Sequence, residues 1–272
     1  MKIPDLDQVG AIMREVAAAE ALPRWRNLAE GDIVEKAGPD DVVTVADRAV
    51  EVELSRRLMD VLPGSVVVGE EAVHANPELL GLLQSDGAVW VIDPIDGTSS
   101  FAAGSPEFAV MVGLCVGREL VAGWILAPVT GELTAGGRGM GVWHATQGGL
   151  SRLSPPAAPS HIAQMRGAIG RRRTDPRRAA HIAAQAHRFQ SIEPAICAGI
   201  EYPRLIAGGI HFSLYNKSEP WDHLPGLAMA AELGFHYARH DGTPYRPGDN
   251  TGGLLVAPDR ERWTEIKSVL LD

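Results

Sequence analysis

Apolar residues recur along the first thirty positions at helical spacing. Leu6, Val9, Met13, Val16 and Ala17 fall on one face, and Asp5 stands where an N-cap belongs, so the pattern predicts a helix from Asp5 to about Leu28. A second helix is predicted to follow Thr44. The rhythm then changes. Ser65 to Gly69 and Ala88 to Ile92 are short β-branched runs that read as buried strands, and each ends directly in acidic residues. Phe108 to Val116, Leu120 to Ala127 and Gly131 to Gly137 read as further strands joined by turns at Gly117-Arg118 and Pro128-Val129-Thr130. An antiparallel sheet flanked by two helices is therefore expected in this half.

Ser154-Pro155-Pro156-Ala157-Ala158-Pro159-Ser160 is the most linker-like piece, because proline removes donors and restricts its neighbours. It divides the chain into an N-terminal α+β half, residues 1–153, and a C-terminal α/β half, residues 154–272. In the second half strand-like pieces (His161 to Ile169, His211 to Leu214, Gly253 to Ala257) alternate with helix-like ones (Pro176 to Phe189, Cys197 to Ala207, Leu224 to Leu233, Arg260 to Leu271). Such alternation predicts layered α/β architecture.

Composition narrows the function classes. At 272 residues and 45% hydrophobic, the chain has ample core for one large or two modest domains. No stretch approaches the roughly 20 uninterrupted apolar residues of a membrane helix, and the start lacks the apolar core of a signal peptide, so a cytoplasmic, non-membrane protein is the expectation. A net charge of -9 argues against nucleic acid as a partner and agrees with an enzyme whose carboxylates are offset by cations. Cys115 and Cys197 are far apart and outside any paired motif, so both are expected to be small buried residues rather than a disulfide or zinc site.

Three acidic groupings stand out: Gly69-Glu70-Glu71, Asp93-Pro94-Ile95-Asp96-Gly97-Thr98 and Trp221-Asp222. In the first two a strand delivers carboxylates to a rigid point, and oxygen-only ligands favour magnesium or manganese over zinc. A turn around Pro94 would aim Asp93 and Asp96 at one place; Gly97 permits close approach, and a helix beginning at Thr98-Ser99-Ser100 would offer N–H groups to a phosphate. Taken singly, each grouping has an ordinary alternative: a solvated turn, a surface acidic pair, a helix cap.

Trp90-Val91-Ile92-Asp93-Pro94-Ile95-Asp96-Gly97-Thr98 resembles the signature of the inositol monophosphatase family, within the wider group of lithium-sensitive sugar phosphatases. Lys36 with Asp41, Val43, Thr44 and Asp47, then Gly69-Glu70-Glu71, then Pro220-Trp221-Asp222 with Gly226 are similar to that family's other elements, in the same order. The resemblance implies a layered αβαβα sandwich and a magnesium-dependent phosphomonoesterase of small sugar or polyol phosphates, using two or three ions, with manganese as a substitute. Glu70, Asp93 and the Ile95 carbonyl would hold one metal, and Asp93, Asp96 and Asp222 a second. A third would lean on Glu70, which with Asp47 and Thr98 makes up the implied catalytic set; Thr98 and Asp47 would position the attacking water. Asp96, Gly97, Thr98 and Ser99 would receive the phosphate, and Ala198, Tyr215 and Asp222 would line the alcohol side. Family members are homodimers.

Two departures bear on this. Ser100 replaces a customary asparagine, and an ungapped count back from Trp221 puts Tyr215 where inositol-specific members have a glutamate and Ile196-Cys197-Ala198 over their Gly-Thr-Ala stretch, with Lys217 and Glu219 near the rim. Losing a carboxylate acceptor weakens polyol recognition. It leaves 3'-phosphoadenosine 5'-phosphate, histidinol phosphate and fructose 1,6-bisphosphate as alternatives, with Tyr215 or Tyr202 as a shelf for adenine. A catalytically silent metal- or phosphate-binding regulator is the alternative of another class. Arg171-Arg172-Arg173 reads as a solvated loop that could steer a second phosphate, and His181 and His187 as surface residues, with no histidine assigned to metal.

Overall fold

The computed structural model describes residues 3–29, 31–38, 41–170 and 174–272. The side chains of Lys36 and Asp41 and the run Arg171 to Arg173 lie outside the described residues. The helices are α1 (Leu6–Val16), α2 (Val45–Val61), α3 (Glu70–Ala75), α4 (Thr98–Ala102), α5 (Pro176–Gln185), α6 (Ala198–Ile206), α7 (Pro220–Glu232) and α8 (Arg260–Leu270). The strands run β1 (Ile33–Gly38), β2 (Asp41–Thr44), β3 (Val66–Gly69), β4 (Ala88–Asp96), β5 (Ala109–Val116), β6 (Glu119–Ala127), β7 (Glu132–Gly137), β8 (Gly141–Thr146), β9 (Gly149–Leu153), β10 (Arg166–Ile169), β11 (Ser191–Pro194), β12 (Phe212–Tyr215), β13 (His236–Ala238) and β14 (Leu254–Ala257).

Among the described residues, β3 to β9 form one seven-stranded sheet in chain order, antiparallel apart from the β3–β4 pair. A five-stranded sheet has the order β11-β10-β12-β14-β13, and β1 pairs with β2 as a separate hairpin. Three apolar cores stack between the layers. One joins α1 and α2 to the seven-stranded sheet, the second joins that sheet to α6 and α7, and the third joins the five-stranded sheet to α5 and α8. The result is the αβαβα layering the sequence implied.

Helix α7 is buried along most of its length, as its near-continuous apolar run requires. It approaches the sheet through a slot made by two cross-strand glycines, Gly113 and Gly123. A Cβ at Gly123 would lie 1.9 Å from the Pro225 carbonyl oxygen, and one at Gly226 would lie 2.1 Å from the Tyr202 ring. Only backbone thickness fits at these points.

Several elements differ from the sequence pattern. The first helix stops being α-helical at Val16, closes with a π-turn over Ala17–Ala21 and does not reach Leu28. Pro23 lacks the N–H that would continue it, and Arg26 takes a positive φ of 64°. At Pro94 no turn interrupts the strand: β4 runs on to Asp96, because a register shift between Asp93 and Asp96 leaves the proline without a ladder bond to make. His161 to Ile169 is a 3-10 turn over Ile162–Gln164 followed by β10. Helix α7 starts at Pro220, four residues before the predicted Leu224, with proline at its first position. His181 is part-buried rather than surface, its Nε2 3.0 Å from the Val269 carbonyl. The hairpin β1–β2 and strands β8, β9, β11 and β13 had no counterpart in the predicted elements.

Gly123→Ala tests the slot. Overpacking costs about 1–3 kcal/mol, and more where backbone blocks relaxation, so urea unfolding is expected to show a loss near or above the top of that range. A loss under about 1 kcal/mol would mean that α7 is not seated as described.

Candidate active site

Two of the three acidic groupings meet, each carried by its own element, and Glu70 is not among the three residues whose ligand oxygens cluster. Asp93 and Asp96 sit on the irregular end of β4, where the register shift turns the chain without breaking the strand. Asp222 stands in the first turn of α7, next to the buried Trp221. Ligand oxygens of Asp93, Asp96 and Asp222 lie within 4.8 Å of one another. Glu70 opens α3 directly after β3, and its carboxylate weighs on Asp93 more than any other charge.

Asp96 is fixed from the second half of the chain. The Gly199 N–H at the start of α6 donates to its Oδ2, and the Cys197 thiol lies 3.6 Å from its carbonyl oxygen. Cys115 is buried and Cys197 only half so; both are free thiols.

Asp47 is fully buried in the first turn of α2. It completes a capping box with Thr44: the Thr44 N–H and Oγ1 donate to its Oδ2 at 2.8 and 2.5 Å. Its other oxygen faces Thr98, whose Oγ1 lies 3.2 Å from Asp47 Oδ1 and 3.0 Å from the Ile95 carbonyl. The single hydroxyl proton serves one of these acceptors at a time. The structure thus brings Asp47, Thr98 and Ile95 together. Gly97, at φ 91°, precedes Thr98 and lets α4 begin there; a Cβ on it would crowd the Glu107 carbonyl at 3.1 Å and Cys197 Sγ at 3.2 Å.

Burial dominates the electrostatics. Desolvation, aided by Glu70, Asp96, Asp222 and Asp47, holds the Asp93 carboxyl well above its usual range. Desolvation and the charge of Asp222 push Asp96 up to about 7 against the bond from Gly199. Asp47 also rises to about 7, chiefly by burial and despite its bonds from Thr44. Asp93 Oδ1 is buried without a hydrogen-bond partner. Converging hard oxygens with an orphaned buried acceptor fit a divalent cation of the magnesium or manganese type.

Beside the cluster lies a cavity of about 220 Å³ whose walls include Asp96, Gly97, Cys197, Ala198, Tyr215 and Asp222. Tyr215 is 7% exposed and Tyr202 is fully buried beneath it, ring centroids 6.1 Å apart and nearly parallel. Tyr202 therefore offers no surface for an adenine ring, contrary to one expectation above. His223 is buried between Tyr202 OH, 3.2 Å from its Nδ1, and the Lys217 carbonyl, 3.0 Å from its Nε2. Burial lowers its pKa to about 4, so it is neutral.

Two features escaped the sequence reading. Glu51 lies one helical turn after Asp47, a spacing that puts both carboxylates on one face of α2, and each of its oxygens accepts an N–H of α3. The Gly199 amide that anchors Asp96 is a backbone group 103 residues away and left no trace in the sequence.

The layered fold carries its clustered carboxylates at one site, and comparison with known proteins gives the class. The family model described as the inositol monophosphatase family matches residues 5–269. The inositol-1-monophosphatase of Mycobacterium leprae is 30% identical over 231 residues, 84% of this chain and 77% of that protein. A staphylococcal IMPase-II with bound inositol monophosphate superposes with a TM-score of 0.74 at 21% identity, covering 97% of this chain and 92% of that one. An IMPase/NADP phosphatase complexed with Mg2+ and phosphate gives a TM-score of 0.79 at 14% identity, covering 96% and 93%. The chain belongs to the inositol monophosphatase family and is a phosphoric monoester hydrolase.

The buried carboxylates make stability pH-dependent. Asp47, Glu51 and Asp96, at about 7 in the folded chain against usual values of 3.8, 4.5 and 3.8, bind more protons when folded, so stability falls as pH rises toward and through 7. The buried His223 and the half-buried His240, lowered to about 4, act oppositely, but only up to their usual 6.5. In a chelating buffer the melting temperature is therefore expected to fall between about pH 6.5 and 8, and millimolar magnesium to flatten that fall. A flat profile in chelator would contradict the described burial.

Proposed function

We propose that this phosphoric monoester hydrolase is magnesium-dependent and acts on a small sugar or polyol phosphate. The observation that supports this most is the convergence of Asp93, Asp96 and Asp222 within 4.8 Å beside a cavity of about 220 Å³. Glu70, Asp93, Asp96, Asp222 and the Ile95 carbonyl would hold two or three magnesium ions, with manganese able to substitute. When bound, such ions offset the charge of a phosphate dianion and acidify water.

The remaining chemistry belongs to the chain's own groups. The Thr98 hydroxyl, poised between Asp47 and the Ile95 carbonyl, orients the attacking water and relays its proton, taking one from water as it gives its own to Asp47 Oδ1. Backbone N–H groups at Gly97, Thr98 and Ser99 seat the phosphoryl oxygens at the start of α4. Asp96 would lie on the phosphate side, while Ala198, Tyr215 and Asp222 wall the space for the alcohol. Burial of Tyr202 narrows the case for a nucleotide, since stacking would rest on Tyr215 alone. Among the described residues no helix is long and apolar enough to cross a membrane. A cytoplasmic homodimer completes the reading, by analogy with the family; light scattering decides the dimer.

Phosphate release should be followed on inositol 1-phosphate, 3'-phosphoadenosine 5'-phosphate, histidinol phosphate and fructose 1,6-bisphosphate, with magnesium or with chelator. Polyol turnover is expected to be fastest, to require magnesium and to be inhibited by millimolar lithium. Undiminished turnover in chelator would defeat the proposal. Asp93→Asn should retain the fold and cut kcat by about 10²–10³-fold or more, the scale for removing one preorganised electrostatic group.

A further inference from the structure

Helix α3 begins at Gly69 with no side-chain cap from its own segment. Its first N–H groups are satisfied from another helix: the Glu71 N–H donates to Glu51 Oε2 and the Ala72 N–H to Glu51 Oε1, both at 2.8 Å. Glu51 is only 7% exposed. Gly69 is shaped to admit it, since a Cβ there would meet the three carboxylate atoms of Glu51 at 2.4, 2.5 and 2.7 Å. The residue enclosed by this clamp, between Gly69 and Glu71, is Glu70.

Acidic side chains in a first helical turn are drawn toward that helix's own N–H groups and positive dipole end. Glu70 and Glu71 are both so placed. Glu51 already occupies the amides toward which they would turn. Its two charge-assisted bonds also pin the backbone on the C-terminal side of Glu70, while the β3–β4 pairing of Gly69 with Ile92 pins the other side.

We infer that Glu51 is a positioning residue that fixes the β3–α3 junction from which Glu70 projects, and so sets how tightly a cation is held. The inference rests on the reading of Glu70 as a metal ligand. It assigns Glu51 no contact with substrate or metal. A cap of merely structural importance would change stability and leave metal affinity alone.

The discriminating measurement is Mn2+ binding to substrate-free protein by electron paramagnetic resonance, with melting temperature recorded in parallel. Glu51→Gln keeps one acceptor oxygen and presents an NH2 group to the second amide. It is expected to weaken Mn2+ binding about tenfold or more, the scale known for groups that orient metal ligands. Gly69→Ala, which pushes the carboxylate away, is expected to do the same. Asp259→Ala removes the side chain that caps α8 through the Arg262 N–H and serves as a control for lost capping, expected to melt lower with Mn2+ affinity unchanged. Glu51→Ala would expose both amides; should it fail to fold, Glu51→Gln decides. Wild-type Mn2+ affinity in Glu51→Gln and Gly69→Ala overturns the inference while leaving the metal site intact. Absence of Mn2+ binding in the unmodified protein overturns the metal assignment itself, and the inference with it.

Discussion

The structure is organised around one electrostatic problem: several carboxylates are held close together around a buried one, Asp93, where water screens them poorly. Asp93 is 1% exposed and flanked by Asp96 and Asp222, with Glu70 and Asp47 adding charge of the same sign. Left to themselves, such groups would protonate or push apart. The fold prevents the second outcome by placing each on a different rigid element. Asp96 is tied to an amide of α6, Asp47 to a capping box, and Asp222 to a helix sunk into the sheet. Positive charge from a bound cation would resolve the first.

The same elements that hold the carboxylates also form the core. Helix α7 lies in the slot between Gly113 and Gly123 and packs Tyr202 against Gly226, so the position of Asp222 follows from backbone contact more than from side-chain fit. Glycines at these points are a requirement of thickness, which differs from the conformational need at Gly97, where φ is positive.

How much of this was legible in the sequence depended on whether the information was local. The strand into Asp93, the Thr44 cap and the helix at Thr98 were visible because each arises from neighbouring residues. The family resemblance named Asp93, Asp96 and Asp222 together, and their carboxylates do meet. The continuation of β4 past Pro94 was hidden, because it depends on a register shift against β5 that no short motif encodes. Strand β9 has mostly exposed side chains and lacks the apolar alternation that would betray it, and β13 is only three residues long. The buried role of Glu51 was missed because a lone glutamate in a helix ordinarily faces water. Its spacing from Asp47 was the one available hint.

Helix α7 has a consequence for biosynthesis. It begins at Pro220, so all seven strands of the large sheet must leave the ribosome before that sheet receives its cover on that side. Until then the apolar face against which Leu224, Leu227 and Met229 come to rest stays open, and no acidic trio exists to capture a cation. A stalled or clipped product thus exposes that apolar face, the kind of species that chaperones and proteases recognise. The carboxylate trio and the cover of the sheet are completed together, through a single late helix.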